Sequence, residues 1–245
     1  MPKQRVDQLL VERGLAESRA RAQALVMAGL VFSGETRIDK PGATLAAGAP
    51  LAVKGKPHPW VSRGGVKLAR ALEHFAIDPA GALCLDIGAS TGGFTEVLLA
   101  KGAAKVYAVD VGHGQLDWSL RQDKRVVVLE CTNARHLTRE HVPEPVDLVV
   151  CDASFIGLRT VLPAPLALVK PRAALVALIK PQFEAGRDKV GKGGIVRDEA
   201  VRAEVCATVC AWLAALPGWQ VLGIVPSPIE GADGNKEFLI AARRS

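Results

Sequence analysis

Four charged residues stand at the ends of stretches that read as regular elements: Lys67, Asp152, Lys180 and Glu237. Asp152 closes the apolar run Val149-Val150-Cys151, and Lys180 closes a second run at Ile179. Ligands of open α/β sheets bind beyond the carboxyl ends of the strands. Glu237 opens the last run, so an antiparallel final strand would bring it to that same rim. Lys67 lies near the start of a preceding helix. An amine beside another cation holds its proton less tightly and can take one from a hydroxyl. Neighbouring carboxylates would keep such amines in place by charge-assisted hydrogen bonds. Lys180 is therefore assigned as base or hydroxyl orienter, with Lys67 as its cationic partner. Any one member alone reads as an ordinary ion pair; the set points to chemistry.

A second cluster runs from Cys84 to Thr95, Cys-Leu-Asp-Ile-Gly-Ala-Ser-Thr-Gly-Gly-Phe-Thr. It leaves a strand, turns on glycines and enters a helix, so backbone N–H groups can approach a ligand. A dinucleotide fingerprint needs a second glycine where Ser90 stands. The acid Asp86 two residues before Gly88, with Gly92 four beyond it, better suits S-adenosylmethionine, whose amino-acid end Asp86 would face. Gly88, Ser90, Thr91, Gly92, Gly93 and Phe94 form the turn. Asp110, with Val111 after it, ends the second strand and can accept from both ribose hydroxyls of an adenosine. Asn133 follows the third strand, within reach of the adenine edge, and Asp152 closes the site from the fourth. Transfer from a sulfonium needs the accepting oxygen in line with the methyl and relieved of its proton.

The pattern predicts the elements that position these groups. Continuous apolar runs at 82–88, 105–111, 126–131, 146–152, 174–180, 219–226 and 237–242 read as strands. Helical stretches at 66–76, 94–101, 114–121, 156–169 and 198–215 separate most of them. The pattern predicts an α/β chain with a seven-stranded Rossmann-like sheet covered on both faces, the kind of sheet that the S-adenosylmethionine reading of the glycine turn calls for. No helix separates the last two strands, which predicts an antiparallel pair at one edge. Before residue 57 the pattern differs. Helices at 5–13 and 18–29, the second capped by Ser18 and ended at Gly29, precede short strands at 30–33, 36–39 and 50–54. The Pro- and Gly-bearing stretch 54–60 breaks the pattern. The expected organisation is a small α+β domain over 1–56, a linker over 57–62 and the catalytic domain over 63–245.

Charge separates the two parts. Residues 1–60 carry nine Lys/Arg against five Asp/Glu, and the remaining 185 carry 22 against 20. A basic N-terminal part suits a polyanion, whose phosphates release counterions when neutralised. The 49% hydrophobic content allows a sizeable core. No apolar stretch is long enough to span a bilayer and the N-terminus lacks a signal-peptide core, so a cytoplasmic location and no membrane partner are expected. The five cysteines form no C-x-x-C pair and no histidine pair has zinc spacing, so no metal is expected. Cys84, Cys131 and Cys151 read as core thiols.

The chain resembles a known family through these residues. Lys67, Asp152, Lys180 and Glu237 match the K-D-K-E tetrad of FtsJ/RrmJ-type RNA ribose 2′-O-methyltransferases. The TlyA, or hemolysin A, family of rRNA cytidine-2′-O-methyltransferases is closer. Its marks are Ser62-Arg63-Gly64-Gly65-Val66-Lys67-Leu68, Gly88 to Thr95, Val109-Asp110-Val111-Gly112, Cys151 to Ile156, Lys180-Pro181-Gln182-Phe183-Glu184 and Gly234 to Phe238. Arg5-Val6-Asp7 and Ser18-Arg19-Ala20-Arg21 resemble the RNA-binding domain first known from ribosomal protein S-four. The resemblance implies methylation of a cytidine ribose in rRNA with S-adenosylmethionine, and a ribosomal subunit as partner. The chain ends at Arg243-Arg244-Ser245, like the shorter members, which implies the large subunit. Lys3, Arg5, Arg19, Arg21, Lys40 and Arg63 are the candidate RNA contacts, with Glu17 weakening the patch. Phe155 either stacks on a flipped base or packs in the core. Gly186 to Gly194 reads as a basic loop over the site or a solvated connector. The rival readings are a non-catalytic ribosome-assembly factor and a pore-forming hemolysin.

Overall fold

The computed structural model describes residues 3–16, 18–54, 58–231 and 234–245, with backbone alone at Arg187. Glu17, the last two residues of the expected small domain (55–56) and the first of the expected linker (57) lie outside the described residues. The chain divides into two compact units, Met1–Arg63 and Gly64–Ser245.

In the first unit, β1 (Lys3–Arg5) leads into α1 (Val6–Glu12), followed by α2 (Arg19–Met27), β2 (Val31–Ser33), β3 (Thr36–Arg37), β4 (Thr44–Ala46) and β5 (Ala52–Val53). Val6, Leu10, Ala22, Val26, Val31 and Ile38 bury together and form its core. Ser18 Oγ accepts from Arg21 N at 3.2 Å and starts α2 as predicted. The helix stops at Met27, and Gly29 takes φ +71°, a left-handed turn that suits glycine. β2 pairs with β3 and β5, while β1 pairs antiparallel with β4. The β1–β4 pair was not expected, because two three-residue strands, one of them Lys-Gln-Arg, are too short to give an apolar alternation to read.

The second unit runs α3 (Gly64–His74), β6 (Leu83–Ile87), α4 (Gly93–Ala100), β7 (Lys105–Val109), α5 (Trp118–Arg121), β8 (Val126–Leu129), β9 (Val146–Cys151), α6 (Leu158–Val161), α7 (Pro163–Leu166), β10 (Val169–Ile179), α8 (Pro181–Glu184), α9 (Glu199–Ala214), β11 (Trp219–Pro226) and β12 (Phe238–Arg244). The strands form one sheet in the order β11-β12-β10-β9-β6-β7-β8. β6 to β10 are parallel; β12 is antiparallel to β10 and β11. β12 thus enters the sheet inside β11, and β11 forms the edge.

Three expectations needed correction. The predicted helix 156–169 is two short turns, because Pro163 and Pro165 lack the N–H a continuous helix requires. β10 already begins at Val169, with an irregularity before Ala174. The predicted helix 114–121 shrinks to Trp118–Arg121, because Gly114 takes φ +68° and a carboxylate holds the backbone amides of Gly114 and Gln115. Cys84 and Cys151 are core thiols, but Cys131 is exposed: it follows β8 at φ +52°. Among the described residues, no helix is long and apolar enough to cross a membrane, and no His/Cys/Asp/Glu group could hold a metal.

Candidate active site

Strand order reverses between β6 and β9, where a crevice opens beyond the carboxyl ends of a parallel sheet. The backbone after β6 and the backbone after β9 nearly touch there. A methyl group on Gly88 (φ +80°) would lie 2.9 Å from Ala153 Cα, so glycine is required.

Lys67, Asp152, Lys180 and Glu237 meet at this rim. Lys67 Nζ donates to Glu237 Oε2 at 2.5 Å and lies 4.0 Å from Asp152 Oδ2. Lys180 Nζ pairs with Asp152 Oδ1 at 2.6 Å and donates to the Asp152 carbonyl and to Ser154 Oγ, both at 3.0 Å. Lys67, Lys180 and Glu237 are buried, while the Asp152 side chain is 19% exposed. The charges alternate, acid, amine, acid, amine. This corrects the expected pairing of the two amines: Asp152 bridges them, because a carboxylate between two buried ammonium groups lowers the cost of removing both from water.

The glycine turn sits on the adjoining strand end. Asp86 is fully buried; Thr95 Oγ1 donates to its Oδ2 at 2.7 Å, while Oδ1 has no hydrogen-bond partner among the described residues. Burial pushes the Asp86 carboxyl up to about 7, and nearby Asp152 and Asp110 add to the shift. A buried, unpaired carboxylate oxygen suits an incoming ammonium group. Gly92 caps the start of α4 at φ +100°, and a methyl there would clash with Leu120 Cδ1. Ser90, at φ +48°, donates its backbone N–H to Asp110 Oδ2 at 2.8 Å, and Gly112 N donates to Asp110 Oδ1 at 2.7 Å. Asp110 therefore locks the turn from the neighbouring strand. Gly93 and Phe94 are buried, so the Phe94 ring packs into the core and only its backbone faces the turn; Thr91 is half-buried and Val111 is exposed beside Asp110. Asn133 Oδ1 caps the turn at Ala134–His136, accepting from Arg135 N at 3.1 Å. Its amide N–H groups are the part suited to an adenine edge. Asp86, the turn, Asp110 and Asn133 thus fit the amino-acid, ribose and base parts of S-adenosylmethionine.

The candidate RNA residues separate by environment. Asp7 is buried and accepts from Arg5 Nε and Nη2 at 2.9 Å, and from Arg19 Nε and Gln23 Nε2 at 3.0 Å. The bidentate Arg5 pair holds the Asp7 carboxyl well below the usual carboxylate range. Arg5 and Arg19 are thus fixed on one acid while 42% and 54% of their side chains stay exposed. Lys3, Arg21 and Lys40 are exposed and Arg63 is half-buried. Phe155 is 90% exposed, which excludes the core-packing reading. It stands at φ +65°, a conformation rare for an aromatic residue, with its ring 5.1 Å from that of Phe183. The 186–194 segment is tied down: Lys189 pairs with Glu204 at 2.7 Å and Gly191 bridges Ile195.

Sequence reasoning missed four supports. Glu130 accepts from the amides of Gly114 at 2.8 Å and Gln115 at 3.1 Å and pairs with Arg121, which together hold its carboxyl below its ordinary value despite burial. Asn235 is buried; its Oδ1 accepts from Val196 N at 3.0 Å and its Nδ2 donates to Gly194 O at 2.9 Å. Ser154 and Glu184 complete the set. Ser154, Glu184 and Asn235 lie in the family stretches quoted above but were given no role, and Glu130 carried its own signal, an acid directly after an apolar strand.

Comparison with known proteins agrees with this geometry. Residues 60–244 match the FtsJ-like methyltransferase family, and residues 4–50 match the S4 domain. A Mycobacterium tuberculosis protein named 16S/23S rRNA (cytidine-2′-O)-methyltransferase TlyA is 51% identical over 98% of this chain and 89% of its own length. A Campylobacter jejuni protein named 23S rRNA (cytidine-2′-O)-methyltransferase TlyA is 38% identical over 73% of this chain and 69% of its own. A solved structure described as a candidate hemolysin from Streptococcus thermophilus is 45% identical, covers 100% of this chain and 90% of its own, and superposes with a TM-score of 0.77. With the family model matched over residues 60–244 and a relative 51% identical over 98% of this chain's length, the chain belongs to the FtsJ-like methyltransferases and carries an S4 domain at its N-terminus.

Proposed function

We propose that the chain uses S-adenosylmethionine to methylate the 2′-hydroxyl of a cytidine in ribosomal RNA, in the cytoplasm. The observation that carries this is the alternating cluster of Lys67, Glu237, Asp152 and Lys180 on the rim shared with the unpaired oxygen of Asp86. The proposed domains are an RNA-binding part over 1–56, a linker over 57–62 and the catalytic part over 63–245.

Asp86 would face the amino-acid end of the cofactor, Asp110 its ribose and Asn133 its base, while the 88–94 turn lines it. When bound, the cofactor supplies an activated methyl on a positively charged sulfur. Lys180 orients the 2′-hydroxyl and, in its neutral amine form, takes up the proton as the oxygen takes the methyl, so that Lys180 ends as an ammonium and the cluster of two acids and two amines ends neutral. Asp152 holds Lys180 through Oδ1, and its own carbonyl and Ser154 fix the direction of Nζ. Lys67, anchored by Glu237, keeps the cluster neutral and adds positive potential beside the developing oxyanion. Lys3, Arg5, Arg19, Arg21, Lys40 and Arg63 contact phosphates, which position the enzyme without reading sequence. Phe155 stacks on the flipped cytosine or a neighbouring base.

The test is methyl transfer from radiolabelled S-adenosylmethionine to 23S and 16S rRNA, free and in subunits, followed by mass-spectrometric mapping. A label on a cytidine ribose is expected. A label on a base, or none on any rRNA, overturns the proposal.

A further inference from the structure

We infer that Glu184 is a positioning residue for the RNA substrate: its carboxylate fixes the loop after β9 so that Phe155 presents its ring to a nucleobase. This rests on the RNA-methylating reading above and deepens it.

Asp152 and Lys180 end adjacent strands, and each strand is followed by a short segment, 153–157 and 181–184. Three contacts join these segments. Near the strand ends, Lys180 Nζ donates to Ser154 Oγ at 3.0 Å. Midway, the Phe155 and Phe183 rings lie 5.1 Å apart and tilted by 48°. Farthest out, Glu184 Oε1 accepts from Leu158 N, the first amide of α6, at 2.6 Å. A carboxylate on a first-turn amide replaces the side-chain cap that Gly157 cannot supply. The fit is close, because a methyl on Gly157 would lie 2.9 Å from Glu184 Oε2.

Phe155 needs such a fixture. Its φ of +65° is strained for a residue with a bulky side chain, and at 90% exposure its ring has little burial to offset the strain. Pinning residue 158 to α8 holds one end of the segment, and Lys180 with Ser154 holds the other. The strained residue lies between two fixed points. The Glu184–Leu158 contact involves none of the acids and amines of the tetrad, so loosening this end of the clamp should affect capture of RNA and leave the chemical step and cofactor binding alone.

The experiment compares steady-state methylation by full-length Glu184→Ala, Glu184→Gln, Phe155→Ala and the Glu184→Ala/Phe155→Ala double variant, with melting temperature alongside. Glutamine keeps an acceptor oxygen for Leu158 N. Expected are a three- to tenfold higher KM for rRNA in Glu184→Ala with kcat and cofactor KM within twofold, near-recovery in Glu184→Gln, and a double variant no worse than Phe155→Ala. Should Glu184→Ala fail to fold, Gly157→Ala, at an ordinary φ, displaces the same carboxylate and should raise the RNA KM alone. An additive double variant, or equal losses in kcat and both KM values, overturns the inference. If Phe155→Ala leaves the RNA KM unchanged, the stacking role of Phe155 falls and the inference with it, whereas absence of rRNA methylation by the wild type would instead sink the proposed function.

Discussion

Replacing Lys180 by methionine keeps the length of the side chain and removes its ammonium group. That group makes three contacts, with Asp152 Oδ1 at 2.6 Å and with the Asp152 carbonyl and Ser154 Oγ at 3.0 Å. Asp152 then keeps only Lys67, 4.0 Å away, but its side chain is 19% exposed and can recruit water. The stability loss should therefore stay in the range of one unmade charged hydrogen bond, about 1–3 kcal/mol. The effect on chemistry is larger. Loss of a positioned proton acceptor slows transfer roughly a hundred- to ten-thousand-fold, about 3–5 kcal/mol of barrier. The assay is single-turnover transfer of labelled methyl at saturating cofactor and rRNA, with RNA affinity and melting temperature measured on the same preparations. Lys180→Arg divides the two roles of the ammonium. Arginine keeps the charge but stays protonated at any accessible pH. If proton uptake is the main role, arginine is as slow as methionine. A methionine variant that binds rRNA and methylates within fivefold of wild type would refute the assignment.

Four further outcomes follow from the same geometry. Asp7→Asn removes an acid from a basic unit, so charge counting alone predicts tighter rRNA binding; the loss of the Arg5 and Arg19 anchor predicts roughly tenfold weaker binding instead, about 1.4 kcal/mol, and filter binding at fixed salt decides the sign. Because the Asp7 carboxyl is held low when folded, its stabilisation is present above about pH 4 and fades as pH falls below that, so Asp7→Asn should flatten the acid limb of denaturation. Asp86 behaves oppositely: with its carboxyl raised to about 7, the unfolded chain loses that proton at lower pH than the folded one, so unliganded stability should decline from about pH 4 to 7, and Asp86→Asn should abolish the decline. Lys67→Met alone leaves the buried Glu237 unpaired and should cost about 3–5 kcal/mol in urea unfolding, whereas Lys67→Met with Glu237→Leu should recover that stability and remain inactive; a double variant as unstable as the single one would contradict the pairing.

The sheet was legible because five parallel strands buried on both faces leave unbroken apolar runs, and the strand ends then located Asp86, Asp110, Asp152 and Lys180. What sequence could not supply was the partner of each charge. Lys67 and Glu237 lie 170 residues apart and meet only when β12 slots inside β11, a choice of neighbour that no local pattern encodes. Short elements failed for a different reason. Helix 156–169 was overruled by Pro163 and Pro165, and 114–121 by Glu130, whose capture of loop amides depends on a long-range approach. The β1–β4 pair carries its charges on so few residues that pairing, not hydrophobic pattern, defines it.

The antiparallel entry of β12 is also what makes the cluster possible. Parallel strands bring only their last residues to the active rim, which here supplies Asp152 and Lys180. A residue at the start of a strand reaches that rim only if the strand runs the other way, and Glu237 immediately precedes β12. α3 contributes the fourth group, Lys67, from its first turn. Four charges from four separate elements are buried or nearly so, an arrangement that well-packed apolar residues would match or exceed in stability. The fold thus bears a cost here that its own cohesion does not require. That cost makes sense if the neutral, alternating cluster serves to hold one amine, Lys180, dry and directed at the place where a hydroxyl must lose its proton.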